Sequence, residues 1–277
     1  MNAVVNYADE KFYLMQRINS ASATRVGGFD NVFSFRAKDM DDDFTRRNAH
    51  ILSQPRGGGY WLWKPYFIRR ALELLQEGDV LFYCDSGAVF VRSATPLLSL
   101  RENRGQSMLV FEIQHVEKLW AKRDALILMG CDEERFIETR QRLGGFLLMR
   151  KDSFSVSFVD EWLSYAQDER ILTDLPNTQG KDNHPGFIAH RHDQSILSLL
   201  SKKRGLRGDC DPSQEGNPFR HLYPDSTYPQ TLFLFRNRYN RPQLLSLLDD
   251  INRTSPDVST VSDDASRTDS HIHNLIV

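Results

Sequence analysis

Cysteine is scarce in these 277 residues: there are three, Cys84, Cys131 and Cys210, at no paired spacing. An odd, sparse set excludes a disulfide framework and a cysteine-rich zinc site, and it fits a reducing compartment. An excess of one charge is missing too. Lys and Arg number 35 against 37 Asp and Glu, so there is no basic field and no nucleic-acid partner is expected. No apolar run approaches the ~18 residues that a membrane span needs. Met1–Asp9 has neither the basic nor the apolar region of a secretory signal, and no fixed-period repeat occurs. The expectation is a soluble, cytoplasmic protein without a transmembrane segment. What is present is an ordinary globular composition, 40% hydrophobic, 11% aromatic and 26% charged, at a length that suits one large domain.

Patterning predicts an α/β chain. Val4–Tyr7 reads as a short strand, a helix follows from about Ala8 to Asn19, and Asp30–Phe35 alternates like a second strand. Asp41-Asp42-Asp43 reads as a solvated helix start rather than a metal site. Arg56-Gly57-Gly58-Gly59 is a glycine-rich loop running into Tyr60-Trp61-Leu62-Trp63-Lys64-Pro65. Pro65 is placed as the first residue of a helix, where no N–H is needed. That helix buries Phe67, Ile68, Ala71, Leu72, Leu74 and Leu75, and Gly78 stops it. Val80–Cys84 is continuously apolar, like a strand covered on both faces, and it breaks off in Asp85-Ser86-Gly87. Ser107–Ile113 reads as a strand, Glu133–Leu143 as a charged helix, and Gly144-Gly145 as the opening of a buried strand. Ser153–Gln167 reads as a helix turning Phe154, Phe158, Trp162 and Tyr165 to a core. Leu175–Gly186 is loop, and Asp193 caps a helix closed by Gly205. After a short helix at Pro242–Ile251, the residues 252–277 are rich in Ser, Thr and Asp and are expected to be disordered, leaving 1–251 as the domain.

Three places carry chemistry. Asp85 stands at the carboxyl end of a buried strand, where open α/β sheets bind ligands; the competing reading is plain turn chemistry in Asp-Ser-Gly. Lys64 offers an ammonium to a phosphate, or lies as a surface lysine along Trp63. Trp61 and Trp63 stack a sugar or base in one reading and pack in the core in the other. The three glycines are not a P-loop, since no Lys-Ser/Thr pair follows. His190-Arg191-His192-Asp193-Gln194-Ser195 is a polar run ahead of an apolar helix, so it caps the helix or binds something, and that helix N-terminus favours an anion. The two histidines with Asp193 match no common zinc spacing, and Asp193 as a plain N-cap is the alternative.

Taken in order, Gly59-Tyr60-Trp61-Leu62-Trp63-Lys64-Pro65, Leu81-Phe82-Tyr83-Cys84-Asp85-Ser86-Gly87, Gly144-Gly145-Phe146 and His190–Ser195 resemble the GT-A nucleotide-diphospho-sugar transferases, in particular a bacterial, polysaccharide-type group, over roughly Asn6 to Arg238. The resemblance implies a single-domain GT-A (Rossmann-like) α/β fold, a mixed, mostly parallel sheet flanked by helices. It implies a hexosyltransferase-like glycosyltransferase that moves a sugar from a nucleotide-diphosphate donor to a saccharide or lipid-linked acceptor hydroxyl, in surface polysaccharide or glycoconjugate synthesis. Such an enzyme would lie at the inner face of the membrane without spanning it.

In that superfamily a strand ends in Asp-any-Asp, whose carboxylates hold a divalent cation (Mn²⁺ or Mg²⁺) and the donor diphosphate. Asp85 matches the first Asp; Gly87 stands in place of the second. Three readings stay open: a metal held by fewer carboxylates, Asp85 contacting ribose and phosphate directly, or metal-independent transfer. His221 is a candidate for the later metal ligand. The resemblance places Asn6, Tyr7, Lys64, Asp85 and Ser86 on the donor, Trp63, Gly144, Gly145, His190 and His192 on sugar and acceptor, and Asp193 and Gln194 at the catalytic position. A metal or Lys64 would stabilise the departing diphosphate. Asp193 would be the base of an inverting reaction or would position the sugar in a retaining one, and Gly87 leans towards retention. Two rivals remain: a nucleotidyltransferase, for which Val4–Phe12 lacks a basic glycine-rich motif, and a non-catalytic nucleotide-sugar-binding scaffold, which the missing second Asp keeps open.

Overall fold

The computed structural model describes residues 1–214, 226–235 and 240–253. Among these, the apolar runs become eight strands: β1 (Asn2–Tyr7), β2 (Asn31–Phe35), β3 (Val80–Cys84), β4 (Ala88–Phe90), β5 (Met108–Val116), β6 (Arg140–Arg150), β7 (Gly208–Cys210) and β8 (Leu232–Leu234). Six form one sheet in the order β2-β1-β3-β6-β5-β7, and β4 pairs with β8 apart from it. β1 and β2 run parallel, as do β5 and β7, whereas β5 and β6 are antiparallel. This mixed sheet flanked by helices is the α/β class expected from the patterning.

The chain divides into two compact units. The first comprises residues 1–36 and 84–105 with the described residues from 212 onward. Its helix starts later and runs longer than the sequence suggested. The Asp9 side chain accepts the Lys11 N–H and opens a short 3-10 turn, Glu10–Phe12, before the α-helix Tyr13–Arg25 begins. Ile18 of that helix packs with Val89, Phe233 and Phe235, and with Leu244, Leu247, Leu248 and Ile251 of the helix Arg241–Arg253. Those last four positions follow the helical period of an amphipathic face. The remainder of the expected tail, residues 254–277, lies outside the described residues.

The second unit comprises residues 37–83 and 106–211. All five residues of β3 are buried, as its unbroken apolar run requires. The Asp41 carboxylate caps the helix Asp42–Arg47, so the acidic run is a helix start. Pro65 is the third residue of the helix Trp63–Leu74 rather than the first. It still falls in the first turn, where backbone N–H groups have no intrahelical partner. Leu74 ends that helix 59% exposed, against expectation, while Leu75 turns inward at 4%. The helix Ser153–Ala166 opens with a capping box between Asp152 and Ser155 and buries Phe158 and Trp162 completely.

The charged helix expected at Glu133–Leu143 shrinks to Glu134–Ile137, and Arg140 already belongs to β6. Cross-strand partners override the local pattern: Arg142 faces Glu112 of β5 and forms an ion pair with it. The glycine pair therefore lies inside β6 instead of opening it. Between the pairs Val110–Leu147 and Glu112–Arg142 the register shifts, and Gly144 and Gly145 occupy that irregular stretch.

Trp162→Ala is expected to remove about 3–5 kcal/mol of stability through the cavity it leaves. Leu74→Ala is expected to stay within about 0.5 kcal/mol. Urea titration of both variants checks the register of these two helices.

Candidate functional site

In the first unit, two strand ends are tied together. β1 closes on Tyr7, Asp85 and Ser86 follow β3 directly, and the Ser86 hydroxyl donates to the Tyr7 carbonyl at 2.6 Å. Asp85 is half-buried, and its carbonyl accepts the Ala88 N–H at 3.1 Å, so the Asp-Ser-Gly segment is a turn and a strand-end carboxylate at once. Burial, and then Asp9 and Tyr13, push the Tyr7 hydroxyl up to about 12; it stays neutral across the physiological range.

Asn6 differs from expectation. It is fully buried, its Nδ2 donates to Asn19 Oδ1 at 2.7 Å and Ser20 Oγ at 3.0 Å, and its Oδ1 accepts from Gln16 at 3.0 Å. Both amide hydrogens stay inside the unit, so the side chain braces β1. Asn19, which the sequence reading passed over, holds the turn from beneath, donating to the Ala88 carbonyl at 2.8 Å and to Cys84 Sγ at 3.1 Å. The available signal was a lone amide beside Ile18 in the Tyr13–Arg25 helix.

In the second unit the irregular stretch of β6 organises the polar groups. Both backbone groups of Gly144 are taken by side chains: its N–H donates to Gln194 Oε1 at 2.9 Å, and its carbonyl accepts from Lys64 Nζ at 2.9 Å. Lys64 Nζ also lies 2.5 Å from Asp193 Oδ2, with the two side chains 4% and 5% exposed. The ammonium is thus committed to a carbonyl and a carboxylate, not turned outward to a phosphate as expected. A Cβ added at Gly144 would come within 2.9 Å of Gln194 Cβ and 3.4 Å of Asp193 Oδ2. The close approach that glycine permits here is filled by the helix Asp193–Lys203 itself.

Asp193 is the first residue of that helix, not its cap. The cap position falls to His192, at φ +52 and without a side-chain capping bond. Gln194 is committed at its other end as well, donating to Gln141 Oε1 at 2.7 Å. Gln141 in turn donates to Glu117 Oε1 at 2.9 Å, and Glu117 takes the Lys202 ammonium at 2.5 Å and the Ser198 hydroxyl. Assigning Gln141 to a charged helix hid this buried network from the sequence reading.

The remaining candidates are Trp63, Gly145 and the two histidines. Trp63 is 7% exposed and donates its Nε1 to the Gly57 carbonyl at 2.9 Å; Gly145 is half-buried beside Gly144. His190 accepts the Lys122 N–H on Nδ1 at 3.2 Å and meets the Ile171 carbonyl through Nε2 at 2.8 Å. Burial, reinforced by His192 next to it, holds its pKa well below the ordinary value, so it is a neutral structural histidine. His192 meets the Leu172 carbonyl through Nδ1 at 2.8 Å, and its ring packs on Tyr60 and Trp61 at 4.9 and 5.5 Å between centroids.

The five residues Gly57 to Trp61 all have left-handed backbone, with φ of 59, 58, 90, 53 and 61°. Glycine is required at Gly59, where a Cβ would stand 2.7 Å from Leu52 Cα. At Tyr60 and Trp61 the same conformation costs about 1–2 kcal/mol per residue.

The loop after Thr173 has no regular structure but is tied down. The Asp124 carboxylate receives the Thr178 N–H and hydroxyl and the Gln179 N–H at 2.6, 2.8 and 3.1 Å. Against the burial that would raise it, these bonds hold the Asp124 carboxyl below its ordinary value. Lys122 Nζ donates to the Leu175 carbonyl at 2.6 Å, and His184 meets Asp132 at 2.9 Å.

Among the described residues, no group of three or more His, Cys, Asp or Glu side chains is placed to hold a metal ion; His221 lies outside them. No described helix is long and apolar enough to cross a membrane.

No protein-family model matches the chain, and no curated protein matches its sequence. Among solved structures it is similar to glycosyltransferases. The galactosyltransferase LgtC, solved with donor and acceptor sugar analogs, is 15% identical at a TM-score of 0.49, over 95% of this chain and 98% of that one. Mouse xyloside xylosyltransferase 1 is 7% identical at 0.48, over 87% and 100%. The glycosyltransferase GlyE of Streptococcus pneumoniae is 14% identical at 0.45, over 90% of this chain and 61% of that one. All three fall below a TM-score of 0.5, so function has to be read from the residues.

Removing one partner of the Lys64–Asp193 pair leaves a buried, uncompensated charge. Lys64→Met and Asp193→Leu should each lose about 3–5 kcal/mol in denaturant titration, and the double variant should lose clearly less than the two together. Acid provides a second check. His190 stays neutral when folded, whereas in the unfolded chain it takes up a proton below its ordinary value of about 6.5, so acid favours unfolding. Stability should fall between about pH 7 and pH 5, by at most about 1.4 kcal/mol per pH unit from this group, and the fall should be shallower in His190→Gln.

Proposed function

We propose that the chain is a glycosyltransferase that moves a sugar from a nucleotide-diphosphate donor to a saccharide or lipid-linked acceptor hydroxyl. The observation that carries this is the pair of joined strand ends. Tyr7 after β1 and Asp85-Ser86 after β3 meet through the Ser86–Tyr7 hydrogen bond, with the Asp85 carboxylate at the carboxyl end of a fully buried strand. Ligands of open α/β sheets lie beyond such ends, and a half-buried carboxylate there suits the ribose hydroxyls of a nucleotide. The sequence resemblance assigns the same residues to the donor. Asn6 supports this site as a brace.

Asp193 and Gln194 are the residues that the resemblance assigns to the transferred sugar. Asp193 is buried and ion-paired with Lys64, which suits a fixed negative charge facing an electron-poor sugar better than a base that must accept a proton. That arrangement favours retention of the anomeric configuration. Lys64 then acts by holding Asp193 in place. A surface-polysaccharide or glycoconjugate acceptor, at the inner face of a membrane, belongs to the same proposal.

The test is thermal unfolding of wild type and Asp85→Ala with uridine, guanosine, cytidine and thymidine diphosphate sugars, each with and without Mn²⁺. A ligand at ~100-fold excess over Kd stabilises the native state by about 2.7 kcal/mol. One donor class is expected to raise the midpoint in wild type and to lose that effect in Asp85→Ala. A donor shift unchanged in Asp85→Ala, or none with any donor, would overturn the assignment.

A further inference from the structure

Of the four non-glycine residues with left-handed backbone among those described, Tyr60, Trp61 and His192 are packed together. Such strain persists only where the surroundings hold it, and it gathers at ligand clamps. Beside it is a half-open hollow of about 220 Å³, walled by Tyr60, Gln54, Glu169 and Asp174 among others. His192 is 2% exposed. With Nδ1 on the Leu172 carbonyl, its Nε2 is left as an acceptor, and no described group donates to it. Nε2 lies 3.9 Å from Asp174 Oδ1, too far for a hydrogen bond. An acceptor without a described donor is thus buried behind Tyr60, whose side chain lines the hollow.

The chemistry of these walls narrows the ligand. Glu169 and Asp174 accept hydrogens, and Tyr60 offers an aromatic face. An anion would be repelled by the two carboxylates. A purely apolar ligand would strand them without partners. A cation would compete with Arg56, which already holds Asp174 at 3.1 Å. A polyhydroxylated ring, with O–H donors on its rim and C–H bonds on its face, meets every group. The volume is below the roughly 300–1,000 Å³ of pockets that enclose drug-sized ligands, which suits a single ring. A broader, shallower groove shares His50 and Glu169 with the hollow and runs along Gln167, Asp168 and Arg170, giving the rest of a saccharide a path outward.

We propose that this hollow in the second unit binds one sugar ring of the saccharide acceptor, with Tyr60 against its face and Asp174 and Glu169 accepting from its hydroxyls. The word acceptor rests on the transferase reading above; the sugar site itself does not.

The experiment is saturation-transfer NMR and calorimetric titration, without nucleotide, using methyl glycosides of glucose, galactose, mannose and N-acetylglucosamine. Wild type is compared with Tyr60→Ala and Asp174→Ala, whose folding is checked by their thermal midpoints. At least one glycoside should bind wild type in the millimolar range and bind tenfold or more weakly to each variant. No binding by any glycoside, or a loss below threefold in both variants, overturns the proposal. The nucleotide-sugar series on the same three proteins separates the two readings. Glycoside binding as expected without donor stabilisation leaves a sugar site and removes the transferase. Donor stabilisation without glycoside binding removes the hollow alone.

Discussion

An irregular strand leaves backbone groups that must be satisfied by something other than a neighbouring strand, and in the second unit that obligation falls on Gly144. Its N–H and carbonyl are met by Gln194 and Lys64. Bringing an ammonium to a buried carbonyl then requires a carboxylate, because an unpaired charge in such surroundings is far more costly than a paired one. Asp193 supplies it from the first turn of a helix, where the helix dipole also favours a negative side chain. The glycine has no side chain because those two residues stand where a Cβ would be. One strand irregularity thus accounts for the glycine, the lysine, the aspartate and the glutamine together.

The same logic explains the polar run from His190 to Ser195. Read along the chain it is a row of ligand-like side chains; in the structure nearly every member has an internal partner. His190 bridges the Lys122 amide and the Ile171 carbonyl, and Ser195 donates to the Trp120 carbonyl at 2.9 Å. Arg191 lies over the Trp120 ring at 4.2 Å. His192 alone keeps a ring nitrogen without a described partner.

The local elements were legible where one physical cause dominated. Val80–Cys84 was readable because a strand covered on both faces needs only apolar residues, and the Ser153–Ala166 helix because its aromatics keep the helical period. Arg140–Leu143 was misread because its charges suit a helix surface, while its actual partners, Glu112 and Glu117, lie more than twenty residues earlier in the chain. Asp85 could be placed at a strand end from pattern alone. That Lys64 turns onto Asp193, or that Asn6 spends its amide on Asn19, Ser20 and Gln16, depends on distances in space that no local window contains.

The loop beyond Thr173 has a mechanical consequence. It lacks helix or strand, yet Asp124, Lys122 and Asp132 anchor its backbone and side chains at several points. Asp174 and Leu175 are therefore presented by a segment whose disorder was given up when the protein folded. A ligand arriving there meets a preformed wall, so its affinity need not carry the penalty of ordering a loop on contact. Nor would its arrival have to wait for a slow closure, and association could run at the pace of simple docking.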